Sequence, residues 1–140
     1  MHIIFSTKNR AGFLQAPDLR SDVHAYLTAT LRGLECHPLQ VGGVSDHVHI
    51  LAGLSRTTSI AELVKNLKTS STKTIKEKGF HYFCWQAGYG AFSVSQSLKE
   101  SVIAYIAGQE LHHRKVTFQE EFRTFLRKHG VAFDERYAWD

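Results

Sequence analysis

Cysteine, proline and methionine are scarce in this chain, at two, two and one among 140 residues. Cys36 and Cys84 are too few and too far apart for a disulfide framework or a cysteine-based zinc site, so both are expected as reduced thiols in or near the core. Pro17 and Pro38 punctuate elements and leave no proline-rich linker. Repeats and low-complexity tracts are also missing, and 1–140 is expected to form a single domain. No segment approaches the roughly 18 consecutive apolar residues of a membrane span. The short apolar start is followed by Lys8 and Arg10 with no cleavage-type sequence behind them. The expected location is therefore the cytoplasm, with no membrane partner. Charge of one sign is not abundant: 17 basic residues against 13 acidic give a net charge of +4. That excess permits a polyanionic partner without requiring one.

What is present is 43% hydrophobic residues, enough for one ordinary core, and nine histidines. Periodicity predicts a strand over 2–7, a loop over 8–15, and a helix that starts at Pro17 and stops at Gly33. A strand over 35–44, interrupted at Gly42-Gly43, turns through Ser45-Asp46 into a strand over 47–54. Thr58 or Ser59 caps a second helix, with Glu62 in its first turn and Ile60, Val64, Leu67 and Ile75 along one side. Gly79 ends it. Strand-like segments over 82–86 and 91–94 flank Gly88-Tyr89-Gly90. Ser95 or Ser97 caps a helix to about His113. Thr117, with Glu120 three residues on, makes a capping box for a last helix to about Lys128, stopped by Gly130. This order predicts an α+β fold of the ferredoxin-like or RRM-like kind. Its antiparallel sheet would carry helices mainly on one face, followed by a C-terminal pair.

The stretch Asp46-His47-Val48-His49-Ile50-Leu51 concentrates the chemistry. Side chains at i and i+2 of a strand share a face, so His47 and His49 can present two imidazoles to one point. Two exposed histidines on an alternating strand would look the same, and other residues must decide. On the helix that follows, Tyr105 and Gln109 are four apart and share a face. The helix's apolar stripe runs through Leu98, Val102, Ile103 and Ile106, with Tyr105 at its edge. Tyr105 is either a half-buried core tyrosine or a nucleophile, and Gln109 offers a hard oxygen ligand. Two imidazoles and one oxygen leave open positions on Mg²⁺ or Mn²⁺, unlike a closed structural zinc site. Of His112-His113, adjacent on a helix, at most one is expected at such a site.

Lys65, Lys68, Thr72 and Lys76 form one stripe on the second helix, with Lys73 beside it. Together with Lys8 and Arg10 they read equally as a phosphate-tracking surface or a solvated face. In the stretch from Trp85 to Phe92, an exposed aromatic could stack on an unpaired base. Trp85 and Phe92 themselves read better as core.

Seven short segments carry a resemblance in their order along the chain. They are Phe5-Ser6-Thr7-Lys8-Asn9-Arg10, Asp46-His47-Val48-His49-Ile50-Leu51, Leu67-Lys68-Thr69-Ser70-Ser71, Trp85-Gln86-Ala87-Gly88-Tyr89-Gly90, Tyr105-Ile106-Ala107-Gly108-Gln109, His112-His113 and Phe133-Asp134-Glu135-Arg136-Tyr137. With them the chain resembles the single-tyrosine HUH transposases of the smallest bacterial insertion sequences, and their relatives associated with repetitive extragenic palindromes. Gly108 departs from the asparagine often found there, a helix-weakening change. The resemblance implies His47 and His49 as the HUH metal ligands, Gln109 as the third ligand and Tyr105 as the nucleophile. It implies a single-stranded DNA substrate folded into a hairpin near each element end, and a 5′-phosphotyrosine intermediate. It also implies a homodimer in which the tyrosine helix of one subunit serves the histidines of the other. A domesticated DNA-binding or nicking protein of the same family, and an unrelated metal-dependent phosphoesterase, stand as alternatives.

Overall fold

Two strands that alternate in opposite senses organise the molecule. In a computed structural model, which describes residues 1–136 and 138–140, β1 (His2–Ser6) pairs antiparallel with β3 (His47–Gly53). Tyr137, in the closing motif, lies outside the described residues. Ile3 and Phe5 of β1 and Val48, Ile50 and Ala52 of β3 point to one face. There α1 (Pro17–Gly33) and α2 (Ile60–Glu77) cover them with Leu19, Val23, Leu27, Leu31, Leu63, Val64, Leu67 and Ile75. The intervening positions, His2, Ile4, Ser6, His47 and His49, necessarily face the other way. The strand alternation thus separates an aliphatic core from a histidine-bearing face.

β2 (His37–Gly43) and β4 (Gly90–Phe92) complete a sheet of order β2-β3-β1-β4, antiparallel at every pairing. The predicted α+β architecture is the observed one. Helices cover both faces: α3 (Lys99–Ala107), α4 (Gln109–His112) and α5 (Phe118–Lys128) lie on the histidine side. There Phe118, Phe122 and Leu126 of α5 pack with Ile4 and Phe92 in a second, smaller core. No helix among the described residues is long and apolar enough to cross a membrane.

Two glycines let the C-terminal helices approach the sheet. A Cβ at Gly42 would stand 2.6 Å from the Ile106 carbonyl oxygen, and one at Gly90 would stand 2.5 Å from Cε2 of Phe122. Any larger residue would push α3 or α5, and the side chains they carry, away from the histidines.

Capping follows the sequence where side chains do it. Ser59 Oγ accepts from the Glu62 amide at 3.1 Å, and Thr117 and Glu120 form the reciprocal box at 3.2 Å each way. Elsewhere the expectations need correction. The segment 82–86 is not a strand: only Thr7 bridges Trp85. Phe83 and Trp85 do point inward, but β1 gives its outer edge to Gly90–Phe92 instead. The tyrosine helix does not run unbroken to His113. It begins as a 3-10 turn over Gln96–Leu98, where neither Ser95 nor Ser97 caps an amide, and breaks at Gly108. Leu98 and Val102, read as core, are respectively exposed and half-buried, and only Ile106 of that stripe is buried. Cys36 is buried as expected, whereas Cys84 is exposed.

Candidate active site

His47 and His49 sit side by side on β3, ring centroids 5.1 Å apart, and both are 0% exposed. They are not surface histidines. What faces them is a carboxylate that no sequence motif singled out. Glu121, in the first turn of α5, brings Oε1 to 2.8 Å from His49 Nε2 and 3.4 Å from His47 Nε2. His113 Nε2 lies 3.2 Å from the same oxygen. One ligand atom from each of these four residues falls within 4.8 Å of all the others. Gln109 adds its Oε1, 3.2 Å from His47 Nε2, with its amide nitrogen held 3.4 Å from the Tyr105 carbonyl.

The far side of each imidazole is engaged. His47 Nδ1 meets Asp46 Oδ1 at 2.8 Å, His49 Nδ1 meets His2 Nε2 at 2.8 Å, and His113 Nδ1 donates to the Val116 carbonyl at 2.6 Å. All three rings therefore aim Nε2 at one centre, the arrangement in which outer partners orient metal-binding histidines. His113 is the telling member. Its Nδ1 carries the proton, so its Nε2 presents a lone pair, and that buried atom has no hydrogen-bond partner. An orphaned acceptor beside a carboxylate is what a cation would satisfy. Three nitrogens with the Glu121 and Gln109 oxygens fit a divalent metal. Nitrogen donors of this kind suit a first-row transition ion better than Mg²⁺, which prefers oxygen ligands.

Charge at the centre is tightly coupled. Burial would depress His47, yet its hydrogen bonds to Asp46 and Glu121 push it up to about 9. Burial dominates at His49, which falls to about 4 despite Glu121, and at His2, which falls to about 3. Burial would raise the Glu121 carboxyl, but the ring of imidazoles around it, His113, His47 and His49, holds it well below the usual carboxylate range. The site is thus a buried anion ringed by imidazoles, positioned to exchange a proton for a metal.

Tyr105 comes to this cluster from α3. Its hydroxyl donates a short hydrogen bond to Glu121 Oε2 and lies 3.2 Å from His112 Nε2, which itself stands 3.0 Å from that oxygen. The Tyr105 ring packs edge-on to His49, centroids 5.7 Å apart. Burial and the Glu121 hydrogen bond both push the phenol pKa up. Of the adjacent pair only His113 joins the metal-capable cluster, as expected, but His112 is not idle polar surface. Both turn toward Glu121, His113 at the nitrogen-rich centre and His112 at the tyrosine. Within the chain, Tyr105 meets His49 and His112.

The basic residues fare unevenly. Lys8, Lys65, Lys73 and Lys76 are exposed. The Lys68 ammonium is half-buried and donates to three loop carbonyls, Gln86 at 2.8 Å, Ala87 at 3.3 Å and Gly88 at 2.7 Å. Burial lowers its pKa to about 8. In this conformation its donors hold the glycine-rich loop in place and are not free for a phosphate. Arg10 donates one guanidinium N–H, on Nη1, to the Trp139 carbonyl at 2.8 Å. Trp85 is buried, its Nε1 donating to Ser71 Oγ at 2.9 Å, which leaves Tyr89 as the exposed aromatic of that loop.

A family profile, Transposase IS200 like, matches residues 1–109. The chain belongs to the IS200-like transposase family. Solved structures agree on the fold. A candidate transposase from Deinococcus radiodurans R1 superposes with a TM-score of 0.62 at 23% identity, covering 77% of this chain and 88% of that one. A REP-associated tyrosine transposase bound to a REP hairpin gives a TM-score of 0.58 at 14% identity, covering 82% and 68%. No curated protein matches the chain. The family match stops at Gln109, so His112, His113 and Glu121 of this transposase-family chain lie beyond it.

Proposed function

We propose that this chain cleaves and rejoins single-stranded DNA at hairpin-bearing element ends, through a 5′-phosphotyrosine on Tyr105 with a divalent metal at the His47–His49 centre. One observation carries the reading. The Tyr105 hydroxyl and the imidazole cluster sit on opposite oxygens of the same buried carboxylate. The hairpin substrate is proposed from the family and from the REP hairpin held by the structural relative.

His47, His49, His113, Glu121 and Gln109 would hold the metal, which supplies Lewis-acid stabilisation of the non-bridging phosphate oxygens. The protein's own groups manage the nucleophile. The phenol is not pre-ionised, so its proton must leave as Tyr105 Oη bonds to phosphorus. His112 Nε2, 3.2 Å from the hydroxyl, accepts that proton, and Glu121 Oε2, 3.0 Å from the same nitrogen, stabilises the imidazolium that forms. The bond from phosphorus to the 3′ oxygen breaks, and that oxygen takes a proton from water to give a free 3′-OH. In rejoining, another 3′-OH attacks and loses its proton to solvent, and Tyr105 departs with the proton stored on His112. The phosphotyrosine preserves the energy of the phosphodiester, so no outside energy source is required.

The geometry supports a site completed within one chain, in place of the trans dimer expected from the resemblance. Tyr105→Phe and His49→Ala chains, co-expressed with two tags and purified as a mixed species, should then recover no cleavage, because each site keeps one lesion. Recovery to about half of wild-type activity per heterodimer would establish the trans arrangement instead. The chemistry itself is tested by incubating the protein with Mn²⁺ and single-stranded oligonucleotides spanning the palindromes beside its gene. An SDS-stable adduct mapping to Tyr105 is expected. Cleavage without any adduct would point to a water nucleophile and a phosphoesterase.

Lys8, Arg10, Lys65, Lys73 and Lys76 are the proposed phosphate-binding residues. Lys65→Ala combined with Lys76→Ala should lower the salt slope of single-strand binding by about 1.4, near 0.7 for each phosphate no longer neutralised. Lys68→Ala should leave the slope unchanged and instead destabilise the fold by about 1–2 kcal/mol, the scale of a charge-assisted hydrogen bond. Salt titration and thermal melts separate the two effects.

A further inference from the structure

A groove runs between α3 and α5 and ends at the nucleophile. Leu98, at the end of the 3-10 turn, and Ser101, Val102 and Tyr105 of α3 line it at i, i+3, i+4 and i+7. Glu121, Thr124, Phe125 and Lys128 line it from α5 at the same spacing. His2 and His112 lie at its inner end, beside Tyr105 and Glu121. Its volume is about 440 Å³, within the range of about 300–1,000 Å³ usual for small-molecule pockets. The walls are mostly apolar, and Leu98 is 53% exposed. Leu98 and Val102 of the apolar stripe are thus left uncovered here, while Ile106 of the same stripe is buried. The Phe125 ring belongs to an aromatic ladder, 5.9 Å from Tyr105, 5.1 Å from His2 and 5.5 Å from Phe92.

We propose that this groove binds one unpaired nucleobase of the DNA strand, that of a nucleotide flanking the phosphate attacked by Tyr105. The proposal rests on the assignment of Tyr105 as nucleophile. A phosphate within bonding distance of the Tyr105 hydroxyl stands at the inner end of the groove, and the nucleosides joined to it must leave in one direction or another. The metal-binding residues fill the space behind Glu121, where His47, His49 and Gln109 are buried. The open direction is along the groove. Its contents suit a base: aliphatic and aromatic walls for the flat faces, the Ser101 and Thr124 hydroxyls for edge groups, and the Lys128 ammonium for a neighbouring phosphate. A base inside a duplex has both faces stacked and its pairing edge covered, so it cannot occupy such a slot. The groove thereby supplies a physical reason for acting on single strands that is independent of any hairpin recognition.

The experiment scans 2-aminopurine along the single-stranded arm of oligonucleotides taken from the palindromes beside the gene. They are bound to the Tyr105→Phe protein, which cannot cleave them. One position, next to the scissile phosphate, should change fluorescence on binding, and the change should vanish in Val102→Trp and in Ser101→Trp, which fill the groove. Ser101 is exposed, so its variant keeps the test alive if Val102→Trp fails to fold. In wild-type protein, an abasic site at that position should slow adduct formation about tenfold, the scale of one base–aromatic stack. The two filling variants should cleave base-containing and abasic strands alike. If no position reports and abasic strands are cleaved normally, the groove holds no base while the nucleophile assignment stands. If wild-type protein forms no adduct with any strand, that assignment fails, and the fluorescence scan still decides the groove. Dimers that dissociate in Ser101→Trp would mean that a second copy covers the groove, and would overturn the proposal.

Discussion

Tyr105→Phe should abolish the covalent protein–DNA adduct, with strand cleavage falling by at least ~10⁴-fold, the scale on which removal of a nucleophile acts. Binding of the hairpin-bearing strand should change only a few-fold. The substitution removes one oxygen and keeps the ring that packs against His49 and Phe125 at 5.7 Å and 5.9 Å. Because the deleted hydroxyl had Glu121 as its acceptor, the variant also frees one carboxylate oxygen beside the metal ligands. Metal affinity should therefore be kept, which separates loss of the nucleophile from loss of the metal. The measurements are gel-resolved adduct, cleaved product and Mn²⁺ affinity on the same preparation. Cleavage at the wild-type rate by the Phe variant would sink the assignment.

The part of the site borne by β3 was legible because a strand has a period of two. His47 and His49 had to share a face, and the aliphatic residues between them had to face the other way. Tyr105 and Gln109 were legible through helical spacing, although Gly108 ends α3 between them and passes the chain directly to α4. Glu121 was hidden by its neighbour. In Thr117-Phe118-Gln119-Glu120-Glu121 both acids read as first-turn residues favoured by the helix dipole, and Glu120 takes the capping role. A signal was nevertheless present. Phe118, Glu121, Phe122, Phe125 and Leu126 follow the apolar spacing of α5, so a carboxylate stands in the stripe that faces the sheet. Such a residue needs buried partners, and the histidine-bearing face of the sheet lies opposite. The segment 82–86 misled for the converse reason. Alternation tells which side chains point inward, not whether the backbone beside them has a strand to pair with.

Glu121→Gln is the second large effect, and it distinguishes two roles that one carboxylate performs. Glutamine keeps the shape and can still accept from Tyr105, but it neither neutralises a metal ion nor stabilises a protonated His112. Mn²⁺ affinity should fall by at least 10–100-fold, the range known for weaker perturbations outside the first ring of ligands. Adduct formation at saturating Mn²⁺ should remain ~10²–10⁴-fold below wild type, the range ascribed to general acid–base catalysis. Thermal melts supply the structural control. Mn²⁺ should raise the wild-type melting temperature by mass action and raise that of the variant far less at equal concentration. His112→Ala should slow adduct formation at saturating metal about as much, but with little change in Mn²⁺ affinity, because its Nε2 meets the Tyr105 hydroxyl and Glu121 Oε2 and not the oxygen that faces the other histidines. Full activity of Glu121→Gln in excess Mn²⁺ would assign the carboxylate to metal binding alone and remove it from any support of His112.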